Sequence, residues 1–185
     1  MTDVAARSTT RPERPAGEAA RLVVARGLFA GPLPEVPEEL YAEVHHGRAE
    51  RRRHHLRVAA DSHVGTNTYF GRFPASYWQR WTTAREVRFE AHTRGTGRVL
   101  LRASDTNGVP RTLAVHDAGP GEVRLSAPLD RFLDGGGLWV EVVTGDDELL
   151  VHDARWTVAA PAADRGTSVV VCTHNRADDC VATLR

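Results

Sequence analysis

From residue 85 onward the chain alternates apolar and polar residues with a period of two. "REVRFEAHTR" places Val87, Phe89 and Ala91 on one face and Arg88, Glu90 and His92 on the other. "RVLLRAS" groups Val99, Leu101 and Ala103, and "EVRLSA" groups Val123, Leu125 and Ala127. Period two predicts half-buried strands, because successive side chains of a strand point to opposite faces. "LWVEVV" and "ELLVHDARWTV" predict two more. Between them lie "GTG", "DTNG", "AGPG", "DGGG" and "TGDD", which are turn signals, and Asn107–Gly108 marks a hairpin. Short strands at this spacing predict a mainly β fold, an antiparallel, jelly-roll-like β-sandwich over about residues 20–160.

Upstream the pattern is weaker. Residues 1–19 are polar, with Pro12, Pro15 and Gly17, and are expected to be a disordered tail. "RLVVARGLF" reads as the first strand. Pro37 is placed in the first turn of a short helix running through Glu38, Glu39 and Tyr41, where proline and acids are favoured. "HHGRAERRRHHLRV" reads as a basic surface loop leading into a strand. His45, His46, His54 and His55 invite a zinc reading, but no acid or cysteine framework fixes a geometry, and a solvated loop is the preferred reading.

The small, proline- and glycine-containing run 161–166 reads as a linker, after which the grammar changes. "SVVV" is apolar on both faces, as in a strand buried within a parallel sheet. "RADDCVATLR" is helical, with Asn175 as N-cap and Asp178 and Asp179 complementing the helix dipole. Residues 167–185 thus read as the first βα unit of a truncated α/β domain. Cys172 and Cys180 are expected to be small buried hydrophobes in a reducing compartment.

Lys+Arg and Asp+Glu are both 24, so the balanced charge offers no footprint for nucleic acid. No apolar run approaches the roughly 20 residues of a membrane span, and the N-terminus lacks a signal-peptide core, so the expected location is cytoplasmic.

Chemistry is expected in the "CTHNR" loop, because ligands of open α/β sheets sit beyond the carboxyl ends of the strands. The loop has no glycine to cradle a phosphate. Thr173 and Asn175 can both donate and accept hydrogen bonds, and Arg176 offers a planar guanidinium for a base. Taken as residues alone, a capping Asn175 and a surface Arg176 are the plainer reading. "SVVVCTHNRADDCVATL" resembles the opening of the nucleotide-binding domain in family 2 inverting glycosyltransferases of the GT-A fold. The resemblance implies that Thr173 and Arg176, and less directly Asn175, contact the uridine of a sugar donor, with His174 where an aromatic is common.

"TNTYFGRFPASYWQRWT", residues 66–82, holds Tyr69, Phe70, Phe73, Tyr77, Trp78 and Trp81, half of the chain's aromatics (4 Trp, 3 Tyr and 5 Phe). Such rings can grip a sugar or build a core or domain interface, and the second is preferred here. Tyr69, Phe73, Trp78 and Trp81 are the candidate glycan or interface contacts. With "VPEELYAEV" before it and "CTHNRADDC" after it, this stretch resembles actinobacterial galactofuranosyltransferases that extend cell-wall galactan.

That resemblance implies transfer of galactofuranose from UDP-galactofuranose to a lipid-linked galactan, at the inner face of the plasma membrane. It also implies Mg or Mn in the full-length enzyme, a UDP-sugar and a glycan as partners, and room for peripheral membrane association and a homo-oligomer. The Asp-x-Asp metal motif and the catalytic base are expected beyond Arg185, so no catalytic or metal-binding residue is assigned within this chain. Asp146–Asp147 and Asp178–Asp179 read as solvated turn and helix-end acids. The alternative is a non-catalytic sandwich that binds carbohydrate or mediates assembly.

Overall fold

The computed structural model of the chain describes residues 20–30 and 37–160. The expected tail 1–19, linker 161–166, βα unit 167–185 and both cysteines lie outside the described residues.

Two antiparallel sheets pack face to face, as the alternation predicts. The strands are β1 (Arg21–Arg26), β2 (Glu43–His46), β3 (Ala49–Arg52), β4 (His55–Val58), β5 (His63–Gly65), β6 (Glu86–Gly95), β7 (Gly97–Ser104), β8 (Arg111–Ala118), β9 (Gly121–Pro128), β10 (Gly137–Val143) and β11 (Leu149–Ala159). One sheet runs β3-β4-β11-β6-β9, with β1 also paired to β11; the other runs β2-β5-β10-β7-β8. The long β11 therefore pairs β4 along its first half and β1 along its second.

The predicted inward sets meet in the core. Val87, Phe89 and Ala91 face Val99, Leu101 and Ala103, and Val123, Leu125 and Ala127 complete one wall. The predicted turns have distinct jobs. "DTNG" closes the β7–β8 hairpin within one sheet, over residues 105–110, with Gly108 at φ 73°. "GTG" carries the chain from β6 in one sheet to β7 in the other, and "AGPG" returns it through β8 to β9. Gly95 sits at φ 98°, and a Cβ there would collide with the Glu148 carbonyl oxygen.

Two expectations are corrected. The run expected as a loop before a strand reaches that strand, β4, but is not itself a loop: it holds the end of β2 and all of β3. These strands alternate, but their outward positions carry His and Arg while inward Leu56 and Val58 are buried. Arg51 also turns partly inward, donating to the Ala42 carbonyl at 2.7 Å and pairing with Glu38 at 2.6 Å. Pro37 stands just before, not within, a single 3-10 turn, Glu38–Leu40, because its own carbonyl accepts from Leu40 and closes that turn.

Between β5 and β6 the chain makes one α-helix, α1 (Ala75–Trp81). Its approach segment bridges Phe73 to Leu138 of β10. Gln79 accepts from the Phe132 amide at 2.5 Å, and Arg80 donates to the Leu133 carbonyl at 2.6 Å, pinning the helix to the 129–136 loop.

The contrast between two turns is testable. Gly95→Ala should destabilise the chain by more than about 3 kcal/mol, through backbone collision plus a strained φ. Gly108→Ala, with nothing within 4 Å of the new methyl, should cost only about 1–2 kcal/mol. Urea denaturation of both variants checks this, and equal losses would contradict the crossover role of Gly95.

Candidate functional site

The aromatic stretch divides. Phe73 is 1% exposed and stacks on Trp156 at 5.0 Å between ring centroids. Trp78 is half-buried and lies 5.9 Å from Phe73 on its other side. Tyr69 is 81% exposed and Trp81 70% exposed. Of the four predicted contacts, two are thus built into the core and two face outward. The outward pair is not one site: Tyr69 packs on Phe70, which stacks on Tyr41, whereas Trp81 belongs to a groove elsewhere.

That groove, about 810 Å³, lies between the end of α1 and the ends of β1, β6 and β11. Helical spacing explains its indoles. Trp78 turns to the core, and Trp81, three residues on, reaches the rim. Thr82 ends the helix by donating its hydroxyl to the Trp78 carbonyl at 2.6 Å and accepting from the Ala84 amide at 3.1 Å. This bend sends the next residues along the groove into β6. Leu22 and Val158 supply apolar lining, and Arg85 and Glu86 supply polar groups.

The outer wall is a buried polar network that alternation alone hides. Glu90 points away from the core, yet it is only 7% exposed. Its carboxylate accepts from Arg155 Nε at 2.8 Å and from the Thr157 hydroxyl at 3.1 Å. Arg21 donates to the Thr157 hydroxyl and carbonyl at 2.8 and 3.0 Å, and reaches Glu86 at 3.5 Å. The only sequence signal was an acid and two arginines on candidate strands, which normally means solvated residues.

A second polar cluster lies on the outer face of the other sheet. Trp139 is buried there, its indole N–H donating to Glu141 at 3.0 Å, with His63 3.2 Å from the same carboxylate. Arg72 covers the ring at 5.9 Å and donates to the Ser104 hydroxyl.

The histidines of the basic run are dispersed. His45 sits edge-on to His63, and His46 lies 3.6 Å from Asp61. His55 joins an unforeseen row with His152 and His92 across β4, β11 and β6, at centroid spacings of 6.0 and 5.5 Å. Among the described residues no group of three His, Cys, Asp or Glu is placed to hold a metal ion. Of the acidic pairs, Asp147 accepts from the Thr96 hydroxyl at 2.9 Å in its turn. Thr173, Asn175 and Arg176, the expected donor contacts, lie outside the described residues, as do Asp178 and Asp179.

Comparison with known proteins adds a lineage to this geometry. A family model described as Galactofuranosyltransferase 2 N-terminal matches residues 36–159. Galactofuranosyltransferase GlfT2 of Mycobacterium tuberculosis is 35% identical over 136 residues, covering 70% of this chain and 21% of the relative. Its Mycolicibacterium smegmatis counterpart is 36% identical over 135 residues, with the same coverage. The chain therefore spans about a fifth of the length of these curated relatives. Among solved structures, a family 29 carbohydrate binding module aligns with TM-score 0.45 and 9% identity, over 76% of this chain and 93% of that one. The C-terminal family 22 module of Clostridium thermocellum Xyn10B aligns with TM-score 0.39 and 15% identity, over 77% and 96%.

The histidine row makes one pH prediction. Asp153, in the left-handed region at φ 52°, bonds His152 Nδ1 at 3.0 Å. That bond, with the positive charge of His152 and its neighbours when protonated, holds the Asp153 carboxyl below its ordinary value of 3.8. A lowered folded pKa gives a contribution present above the unfolded value and lost as pH falls through the folded one. Carboxyl NMR titration should place the Asp153 midpoint below 3.8 and show it rising in His152→Ala. An unmoved midpoint would remove the coupling.

Proposed function

Because the chain belongs to the galactofuranosyltransferase 2 N-terminal family, we propose that it is the N-terminal accessory sandwich of an inverting glycosyltransferase that moves galactofuranose from UDP-galactofuranose onto a growing lipid-linked cell-wall galactan. The supporting observation is the family match, which spans β2 through β11 and so nearly the whole sandwich. Relatives named for this activity, alike over the same length, agree with it.

Within that enzyme the residues of "CTHNR" form the first wall of the donor pocket. Arg176 stacks on or hydrogen-bonds the uracil, Thr173 bonds uracil or ribose, and Asn175 adds a further hydrogen bond to the donor. The transfer is a single displacement at the anomeric carbon. A base takes the proton of the acceptor hydroxyl, its oxygen forms the new glycosidic bond, and UDP leaves with the bonding electrons. The enzyme is expected to use Mg or Mn, which when bound would neutralise charge on the diphosphate. Among the described residues no group of three His, Cys, Asp or Glu is placed to hold such a metal. The enzyme works at the inner face of the plasma membrane; among the described residues no helix is long and apolar enough to cross it.

A second reading, a sandwich that binds carbohydrate in its own right, is favoured by the exposure of Trp81 in a groove. It complements the first reading, since an accessory domain can hold the polymer that a catalytic domain extends.

The purified 185-residue chain should show no turnover of UDP-galactofuranose, and measurable transfer would contradict that assignment. In the complete enzyme, Arg176→Ala should weaken UDP binding about tenfold, equivalent to roughly 1.4 kcal/mol. Calorimetric titration checks this, and an unchanged affinity would remove Arg176 from the donor site. A complete enzyme that transfers no galactofuranose would overturn the proposed function itself.

A further inference from the structure

We propose that the groove beside α1 is a glycan-binding subsite, with Trp81 as the stacking platform for a neutral oligosaccharide. The identity of the sugar, a galactofuranosyl chain, rests on the proposed function; the groove does not.

The shape comes first. Ligand sites are concave, lined by aromatic and apolar groups, and carry a few convergent polar atoms. At about 810 Å³ the groove falls within the size range of small-ligand pockets and takes a short run of sugar rings. Protein partners of ordinary affinity need a larger and flatter surface.

The lining chemistry then selects the ligand. A sugar presents C–H groups on one face of its ring and hydroxyls around the edge. Trp81 offers an indole on the rim, and the part-exposed edge of Trp78 continues the apolar surface inward. Arg85 is exposed in the groove lining, where its guanidinium presents donors to hydroxyl oxygens. Glu86, half-exposed at the groove's edge, keeps acceptor capacity beyond its 3.5 Å contact with Arg21. A wholly apolar occupant would strand these groups without partners.

Charge argues against a polyanion. Arg80 is committed to the Leu133 carbonyl, and Arg21 to Thr157 and Glu86. Arg21 is paired with Glu86 and Glu90, which leaves the charges of Arg80 and Arg85 in the lining, short of the cluster of basic residues that nucleic acid or an anionic membrane surface requires.

Position matters as well. The platform is held by parts that need no ligand: Gln79 and Arg80 anchor the helix, Thr82 fixes its end, and Trp78 packs on Phe73. A preorganised platform loses little freedom when a sugar docks.

The test titrates the 185-residue chain with a galactofuranose hexasaccharide by isothermal calorimetry, reading tryptophan emission in parallel. Saturable binding is expected, weakened about tenfold or more by Trp81→Ala and more modestly by Arg85→Ala. Tyr69→Ala, exposed but outside the groove, should leave the affinity unchanged. Both groove variants should melt like the parent, since Trp81 and Arg85 are exposed. No saturable heat at millimolar sugar, or equal affinity in Trp81→Ala, would overturn the subsite. So would shielding of Trp81 from acrylamide in the free chain, which would mean that the chain itself or a second copy covers the groove. Preference for a glucose hexasaccharide would overturn the assigned sugar. Transfer by the complete enzyme is a separate readout: an active enzyme whose sandwich binds no glycan refutes this subsite and leaves the proposed function standing.

Discussion

Trp156 is the contact on which the remainder of the structure depends. It projects from β11 into the space between the sheets, meeting Phe89 of β6 edge-on at 5.2 Å and Phe73 face-on at 5.0 Å. Phe73 in turn stacks near Trp78 of α1. Four rings therefore run from the sandwich core to its helix. A seven-residue helix is too short to be stable by its own hydrogen bonds, so tertiary packing has to hold it. The ring series does so, and thereby decides where Trp81 stands.

The sheet beneath the groove is held by a different kind of contact. Glu90 is a carboxylate taken largely out of water, which is unfavourable unless charge and hydrogen bonds compensate. Arg155, Thr157 and Arg21 provide both, joining β6, β11 and β1 across their outer face. The same arginine that steadies Glu90 also reaches Glu86 at the groove's edge. Stability on the outer face and the shape of the groove are therefore set by shared residues, so a change at Arg21 would be felt in both.

What was legible in the amino-acid order follows from how many faces of each element are covered. β6, β7 and β9 were plain because each has one apolar face on the core. β2 and β3 escaped the sequence because edge strands tolerate His and Arg outward, and four-residue strands give too few periods to count. Glu90 and Trp139 escaped for another reason. Both point away from the core and are covered by long arginine stems, which no period reveals. The aromatic stretch was conspicuous in composition, but its division was not. Phe73 and Trp81 differ in the direction that the turn and helix give them, and tertiary contacts fix that direction. The proposed donor contacts Thr173, Asn175 and Arg176 rest on a short motif alone, which lies beyond the residues 36–159 that the family model matches.

Two parts meet in this chain: a sandwich that belongs to the galactofuranosyltransferase 2 N-terminal family, and the sugar platform proposed on it. The most direct measurement of both is the length distribution of polymer made by the complete enzyme from UDP-galactofuranose and a short lipid-linked acceptor. The wild type should build long chains. Trp81→Ala should keep the rate of the first transfer while its products shorten, because growing polymer is held less well. Identical length distributions, with equal first-transfer rates, would contradict the account.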